Sequence, residues 1–280
     1  MTALIFMLTG FCLFLSLVSV ILFVFFSIVQ VRESARYVLF AHMLINDTLY
    51  LSLGLYLMVT SLYFAFIPVP VCYVIVTLVS CTFKITPYNL AVMSLERYVA
   101  ICHPLRYVEI CSGHRSGVTI AGLWALAMAP NVADFISLSL SADRTFYSLH
   151  VICTKEILIL NITQQHIRSN TLIVSVSLVA IIILYTYVKV MLVAQKFGSG
   201  NSSAIKAGKT VLLHAFQLFL SMIALLTPFI VTSNKEYISI LPISNFLFFT
   251  CLPRFIGPLI YGLRDELLFQ CLRKLYSSGP

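Results

Sequence analysis

The chain has 280 residues, of which 60% are hydrophobic and 10% are charged, and its mean hydropathy is +0.99. Because a soluble domain is about half apolar and about one-quarter charged, this composition excludes a water-soluble globular protein and predicts one embedded in a bilayer. The net charge of +8 could suggest nucleic acid as a partner, but the positions of the basic residues argue against it.

Apolar runs that are long enough to cross a bilayer as helices recur along the whole chain. A spanning helix needs about 20 mostly apolar residues. The runs are continuous rather than alternating, which disfavours transmembrane strands. The first run is too long for the core of a signal peptide and has no basic residue before it. The seven predicted spanning helices are 5–30, 37–61, 71–102, 116–138, 171–195, 205–232 and 237–262.

The segment 264–276 predicts one further, short helix at the inner membrane surface. Its apolar residues fall on one helical face, and among them Cys271 is either a palmitoylation site or a buried, unmodified cysteine. The predicted fold is therefore an all-α membrane protein, a seven-transmembrane helix bundle with a short amphipathic eighth helix. It occupies residues 1–280 as a single domain.

The basic residues predict the orientation of the chain. If the N-terminus is outside, twelve lie in inner loops: Arg32, Arg36, Arg97, Arg106, Arg115, Lys189, Lys196, Lys206, Lys209, Arg264, Arg273 and Lys274. Four lie in outer loops: Arg144, Lys155, Arg168 and Lys235. This bias predicts an outside N-terminus and a cytoplasmic C-terminus at the plasma membrane. It also indicates membrane lipid, and no nucleic acid, as the partner of the positive charge.

The outer loop over 139–170 is long and polar enough to act as a lid. It contains Asn161-Ile-Thr163, a glycosylation acceptor pattern on the outer side. In this topology Cys72 and Cys153 are the two cysteines at the outer face, where oxidising conditions allow a disulfide between them. The alternative is two free thiols.

The run MSLERYVAICHPLRY closes the third predicted helix, with Pro104 ending it and Arg106 and Tyr107 in the loop that follows. Glu96 and Arg97 stand side by side at the inner helix end. Such a pair can open and free the arginine for new partners, as in a two-state latch. The alternative is that both charges serve the topology alone.

This run resembles MAYDRYVAICHPLRY, the signature of odorant receptors within the rhodopsin-like G-protein-coupled receptors, and the phrasing is similar to the fish-type branch. It departs at three of fifteen places: Ser94, Leu95 and Glu96, the last in place of aspartate. Other matches cover nearly the whole chain. They are Cys72, 25 residues before Arg97, the run Leu44-Ile-Asn-Asp47, the lone Trp124, the sixth-helix start Lys206 to His214, and Pro258-Leu-Ile-Tyr261.

The resemblance implies a receptor that binds a small-molecule odorant among its helices and activates a heterotrimeric, stimulatory olfactory-type G protein. It implies a coupling and activation switch formed by Glu96, Arg97, Tyr98, Arg106, Pro258 and Tyr261. Tyr185 or Tyr187 is expected to support Arg97 together with Tyr261, and Lys206 and Lys209 are expected near the G protein. The chain departs from the family at Gly257, which replaces an asparagine.

Two opposite charges at matching depth are predicted to meet inside the membrane. Asp47 lies in the second helix, where related receptors bind sodium with the help of polar neighbours, and Thr86 could be one of them. Arg254 lies one turn before Pro258. An intramembrane charge is costly and usually has a partner, so Arg254 is predicted to pair with Asp47 in place of sodium. The alternative is that Arg254 bonds backbone carbonyls or extends toward the interface.

Lys84 is the third intramembrane charge, and it lies two residues before Thr86. Two residues turn a helix by about 200°, so Lys84 is predicted to face away from Asp47, toward the fourth and fifth helices. There it either meets an anionic or carbonyl-bearing ligand or bonds polar helix groups. Ser80 and Phe83 lie on the same side of the helix as Lys84. They are predicted to line the ligand cavity that the resemblance implies.

Other functions are weaker alternatives. A rhodopsin-like receptor for a non-odorant ligand remains open, although Val79 stands where amine receptors carry an aspartate. A transporter or channel normally has internal repeats, which the sequence lacks. No catalytic constellation, cofactor or metal site can be assembled from the motifs, so the protein is not expected to be an enzyme.

Overall fold

The computed structural model describes residues 2–28 and 33–196, together with the separate positions 212, 216, 219, 251, 252, 254 and 255. The predicted helices over 205–232 and 237–262 lie outside these residues except at the separate positions, and the segment 264–276 lies wholly outside them.

Five of the described helices are long and apolar enough to cross a membrane. They are α1 (Thr2–Ser27), α2 (Ala35–Leu62), α3 (Val69–Cys102), α5 (Gly113–Ser141) and α7 (Ile162–Lys196). The short helices are α4 (Pro104–Ile110) and α6 (Arg144–Tyr147), and the strands are β1 (Phe66–Pro68) and β2 (His150–Ile152). The first five predicted spans therefore correspond to helices, because backbone groups in lipid must be paired within the segment.

The fifth spanning helix, α7, begins at Ile162 rather than at the predicted residue 171. Its first turns are polar, so hydropathy alone places them in a loop. Asn161 caps the helix, since its Oδ1 accepts a hydrogen bond from the Gln164 amide at 2.7 Å. The Gln164 side chain in turn accepts a hydrogen bond at 2.9 Å from the amide of Leu160, the residue before the cap. The predicted lid over 139–170 is consequently shorter than expected.

The segment after α3 is also helical, and the expectation of a loop there is wrong. The third spanning helix ends at Cys102, and Pro104 opens α4, which contains Arg106 and Tyr107. Proline is well suited to the first turn of a helix because its missing amide hydrogen has no partner there in any case. Pro104 thus begins α4 and also separates it from α3.

The segment between α5 and α7 is held by a small sheet and a disulfide. β1 pairs antiparallel with β2, with Ile67 opposite Val151. Cys72 and Cys153 form a disulfide, as the topology predicts. Both sulfur atoms lie in a buried apolar cluster, whose buried members are Ile67, Val69, Cys72, Cys153 and Leu158.

The described residues form two compact units. One contains those within Met1–Leu44, Met93–Ser116 and Ile182–Pro280, and the other contains Ile45–Val92 and Gly117–Ile181. In the first unit the core includes Phe14 of α1, whose ring lies 5.0 Å from that of Phe255. In the second unit the core includes the disulfide cluster and the intramembrane polar residues described next.

Candidate functional site

The first polar cluster joins α2 to α3. Thr86 donates a hydrogen bond from Oγ1 to Asp47 Oδ1 at 2.8 Å. Asn46 donates from Nδ2 to the Thr82 carbonyl at 2.9 Å and to Thr86 Oγ1 at 3.0 Å. All four residues are buried. The structure thus brings Thr86 to Asp47 as expected, and it adds Asn46, which the sequence presents only as the neighbour of the aspartate.

Arg254 is buried as well, and its depth in the membrane stays a prediction. The pair that it is predicted to form with Asp47, and the alternative of a sodium ion, remain predictions.

The second polar cluster joins α3 to α5 around Asn131. Asn131 Oδ1 accepts a hydrogen bond from Ser80 Oγ at 3.2 Å and a long one from Lys84 Nζ at 3.5 Å. Its Nδ2 donates to the Ala127 carbonyl at 3.1 Å and to Cys81 Sγ at 2.9 Å. These two donated bonds fix the amide, so that its oxygen points at Ser80 and Lys84.

Lys84 therefore faces the fourth spanning helix, as its helical angle relative to Thr86 predicts. Asn131 is not among the predicted site residues. A single amide side chain in an apolar span, next to Pro130, is nevertheless a signal that could indicate a polar contact between helices. Phe83 takes another direction: its ring lies 5.9 Å from that of Tyr50 on α2. Ser80 and Lys84 both contact Asn131, whereas Phe83 contacts Tyr50.

A third polar contact joins α5 to α7. Arg168 of α7 forms two hydrogen bonds of 2.8 Å with the carboxylate of Asp134 on α5. Its third nitrogen donates to the Lys155 carbonyl at 3.2 Å. Arg168 is therefore not a loop charge but part of a helix-to-helix ion pair. No sequence motif indicates this pair, because its two members are 34 positions apart.

The end of α3 opposite its disulfide carries the predicted charge pair. Arg97 Nε lies 3.6 Å from Glu96 Oε2, and Tyr107 donates a hydrogen bond to Glu96 Oε1 at 2.7 Å. Burial raises the pKa of the Tyr107 hydroxyl, and the nearby Glu96 carboxylate raises it further. The tyrosine therefore stays protonated as a donor. The sequence places Tyr107 in a loop and assigns it no partner, whereas the helix α4 brings it to Glu96.

Two aromatic contacts lie beside this charge pair. The Tyr98 ring lies 5.6 Å from that of His103 and 5.9 Å from that of Tyr185. Arg106 is exposed on α4. Tyr185 thus reaches the neighbour of Arg97, while its support of Arg97 itself stays a prediction.

Several predicted positions lie outside the described residues. These are Lys206, Lys209, Gly257, Pro258, Tyr261 and Cys271. Asn161 is described, and its Nδ2, the atom that a glycan would occupy, donates to Ser141 Oγ at 2.6 Å and Ser137 Oγ at 3.2 Å. Glycosylation at Asn161 remains a prediction.

Five helices of membrane-spanning length with polar clusters between them define the class of the protein, a helical multi-pass membrane protein. The chain belongs to the rhodopsin family of seven-transmembrane receptors, since the family description "7 transmembrane receptor (rhodopsin family)" matches residues 17–261. Membership in this family implies a receptor rather than an enzyme.

Individual relatives carry olfactory names. "Odorant receptor 131-2" of Danio rerio is 29% identical over 86% of this chain and 76% of its own length. "Olfactory receptor 2M5" and "Olfactory receptor 2M3" of Homo sapiens are 32% and 30% identical over 69% of this chain. The alignments span 63% of the length of each of these two human receptors.

Proposed function

We propose that the chain is an odorant receptor of the fish type, which binds a small molecule within its helices and activates a stimulatory olfactory-type G protein. The observation that carries the proposal is the similarity to odorant receptor 131-2, which extends over 86% of the chain. The run MSLERYVAICHPLRY supports it, because this run contains both the charge pair and the tyrosine that contacts it.

Activation follows from the contacts of Glu96. In the resting state its carboxylate holds Arg97 and accepts the Tyr107 hydrogen bond. A ligand that binds the active state more tightly shifts the population toward it. Glu96 then releases Arg97, and the G protein binds near Arg97, Arg106, Lys206 and Lys209.

The orientation belongs to the same proposal. The N-terminus faces the outside of the plasma membrane and the C-terminus faces the cytoplasm, with membrane lipid around the helices. Twelve inner against four outer basic residues support this orientation. So does the disulfide, because disulfides persist in oxidising surroundings such as the cell exterior.

The proposed function is tested by expressing the chain in cells with a cyclic-AMP reporter and screening water-soluble odorants. A concentration-dependent rise that disappears in Arg97→Ala, with surface expression unchanged, is the expected result. Responses confined to amines or peptides would instead identify a rhodopsin-family receptor for another ligand class.

Removing the charge of Glu96 is expected to raise signalling without ligand. Glu96→Gln weakens the attraction to Arg97, and Tyr107→Phe removes one hydrogen bond to a charged group. Such a bond contributes about 1.5–3 kcal/mol, which shifts a two-state equilibrium about tenfold or more. Basal cyclic AMP per surface receptor measures the effect.

Glu109→Gln is the matched control for Glu96→Gln, because Glu109 is an exposed carboxylate in α4. It should leave basal signalling unchanged. Equal basal signalling in wild type and both Glu96 and Tyr107 variants would mean that the contacts serve only the structure of the helix end.

A further inference from the structure

The ammonium group of Lys84 is buried with little to balance it. The residue is 8% exposed, and its one hydrogen bond within the part of the chain that the structure describes is the 3.5 Å contact with Asn131 Oδ1. An ammonium has three N–H donors. Two donors are therefore left without an acceptor among the described residues, in a segment that lipid surrounds.

No carboxylate of the described residues forms a close ion pair with this ammonium, and Asp134 acts on it only at longer range. Asp134 is engaged by two nitrogens of Arg168, and Asp47 accepts a hydrogen bond from Thr86, on another side of α3. Beyond residue 196 the sequence contains three acids, Glu236, Asp265 and Glu266, and each lies outside the predicted spans. The outer halves of α3, α5 and α7 thus carry a surplus positive charge at Lys84.

A surplus buried charge is costly unless it is paired. Asn131 offers only a neutral amide oxygen, and it shares that oxygen with Ser80. The side chains next to Asn131 include Cys81 and Met128, whose sulfur atoms are in contact. Both side chains are apolar and polarisable. The surroundings therefore fit a ligand with an anionic head group and an apolar body.

We propose that Lys84, Ser80 and Asn131 form a subsite for the carboxylate of an amphiphilic organic acid. Lys84 donates two hydrogen bonds to the carboxylate oxygens, Asn131 holds the ammonium in place, and the Ser80 hydroxyl turns from Asn131 to the ligand. This inference rests on the proposed receptor function, for which it names the ligand class.

The test uses the purified full chain in detergent and measures its thermal unfolding with butyrate, hexanoate, octanoate and benzoate. The corresponding alcohols, of similar shape but without charge, serve as matched ligands. At least one acid should raise the unfolding temperature at concentrations where its alcohol does not. Lys84→Met should weaken that acid about tenfold or more, since it removes a charge-assisted hydrogen bond.

Asn131→Asp is the most informative variant. It places a carboxylate at the position now 3.5 Å from Lys84 Nζ, so the charge is neutralised from within. The effect of the acids should disappear, whereas the stability of the ligand-free receptor sets the new ion pair against the two hydrogen bonds that the Asn131 amide donates. Lys155→Met, which removes an exposed lysine of the outer loop, should retain the full response to acids.

Three results would overturn the inference. One is that no acid of the series stabilises the wild type, and another is that Lys84→Met retains the full shift. The third is that Lys84→Met destabilises the ligand-free receptor, because then the lysine serves the structure.

Cyclic-AMP signalling separates the two proposals: neutral odorants that activate wild type and Lys84→Met equally would support the receptor function alone. A receptor stabilised by acids but silent in the reporter would support the subsite alone.

Discussion

Replacement of Cys72 by serine is expected to remove nearly all receptor from the cell surface. The disulfide joins positions that are 81 residues apart and lies in the buried cluster with Ile67, Val69 and Leu158. Loss of a disulfide that closes so long a loop costs about 2–5 kcal/mol, a large part of the stability of a typical domain. It also leaves two polar thiol or hydroxyl groups among apolar side chains.

Surface labelling of intact cells and thermal unfolding of the purified protein measure this effect. Cys153→Ser should match Cys72→Ser, and the double variant should be no worse than either, because all three remove the same bond. Cys12→Ser is the control, since Cys12 is a free, exposed cysteine of α1. A double variant that is clearly worse than both single ones would show that each cysteine acts separately.

The first five spanning helices were predictable because lipid imposes a strong requirement on them. α2 and α3 each begin two residues before the predicted residue, at Ala35 and Val69. In lipid a helix must be apolar and must satisfy its own backbone, so composition alone locates it. The start of α7 was not predictable in this way, because Gln164 and Arg168 belong to turns at which hydropathy no longer distinguishes a helix from a loop.

The candidate site was predictable only where one helix carries the information. Thr86 and Lys84 point in different directions because two residues turn a helix by about 200°, and their partners Asp47 and Asn131 agree with that rotation. Which residue meets them depends on the packing of other helices. The Asn131 side chain contacts three residues of α3, and Tyr107 of α4 contacts Glu96. Sequence spacing does not specify such contacts between elements.

Breaking the ion pair between Asp134 and Arg168 is expected to destabilise the receptor strongly. Arg168→Met leaves a carboxylate that is 5% exposed without its bidentate partner. Removal of one member of a buried pair costs about 3–5 kcal/mol, and we expect the lower end because the Arg168 side chain is 27% exposed. Thermal unfolding of the purified chain is the measurement.

A double-mutant cycle separates the pair from the loss of each side chain. Combining Arg168→Met with Asp134→Leu should recover much of the lost stability, since an apolar pair in place of a buried ion pair is often neutral. The exposed pair Lys155–Glu156, at 3.8 Å, is the control, and its cycle should give a coupling of about 0–1 kcal/mol. If the coupling of Asp134 with Arg168 were no larger than that of the exposed pair, the contact between α5 and α7 would owe its strength to packing rather than to charge.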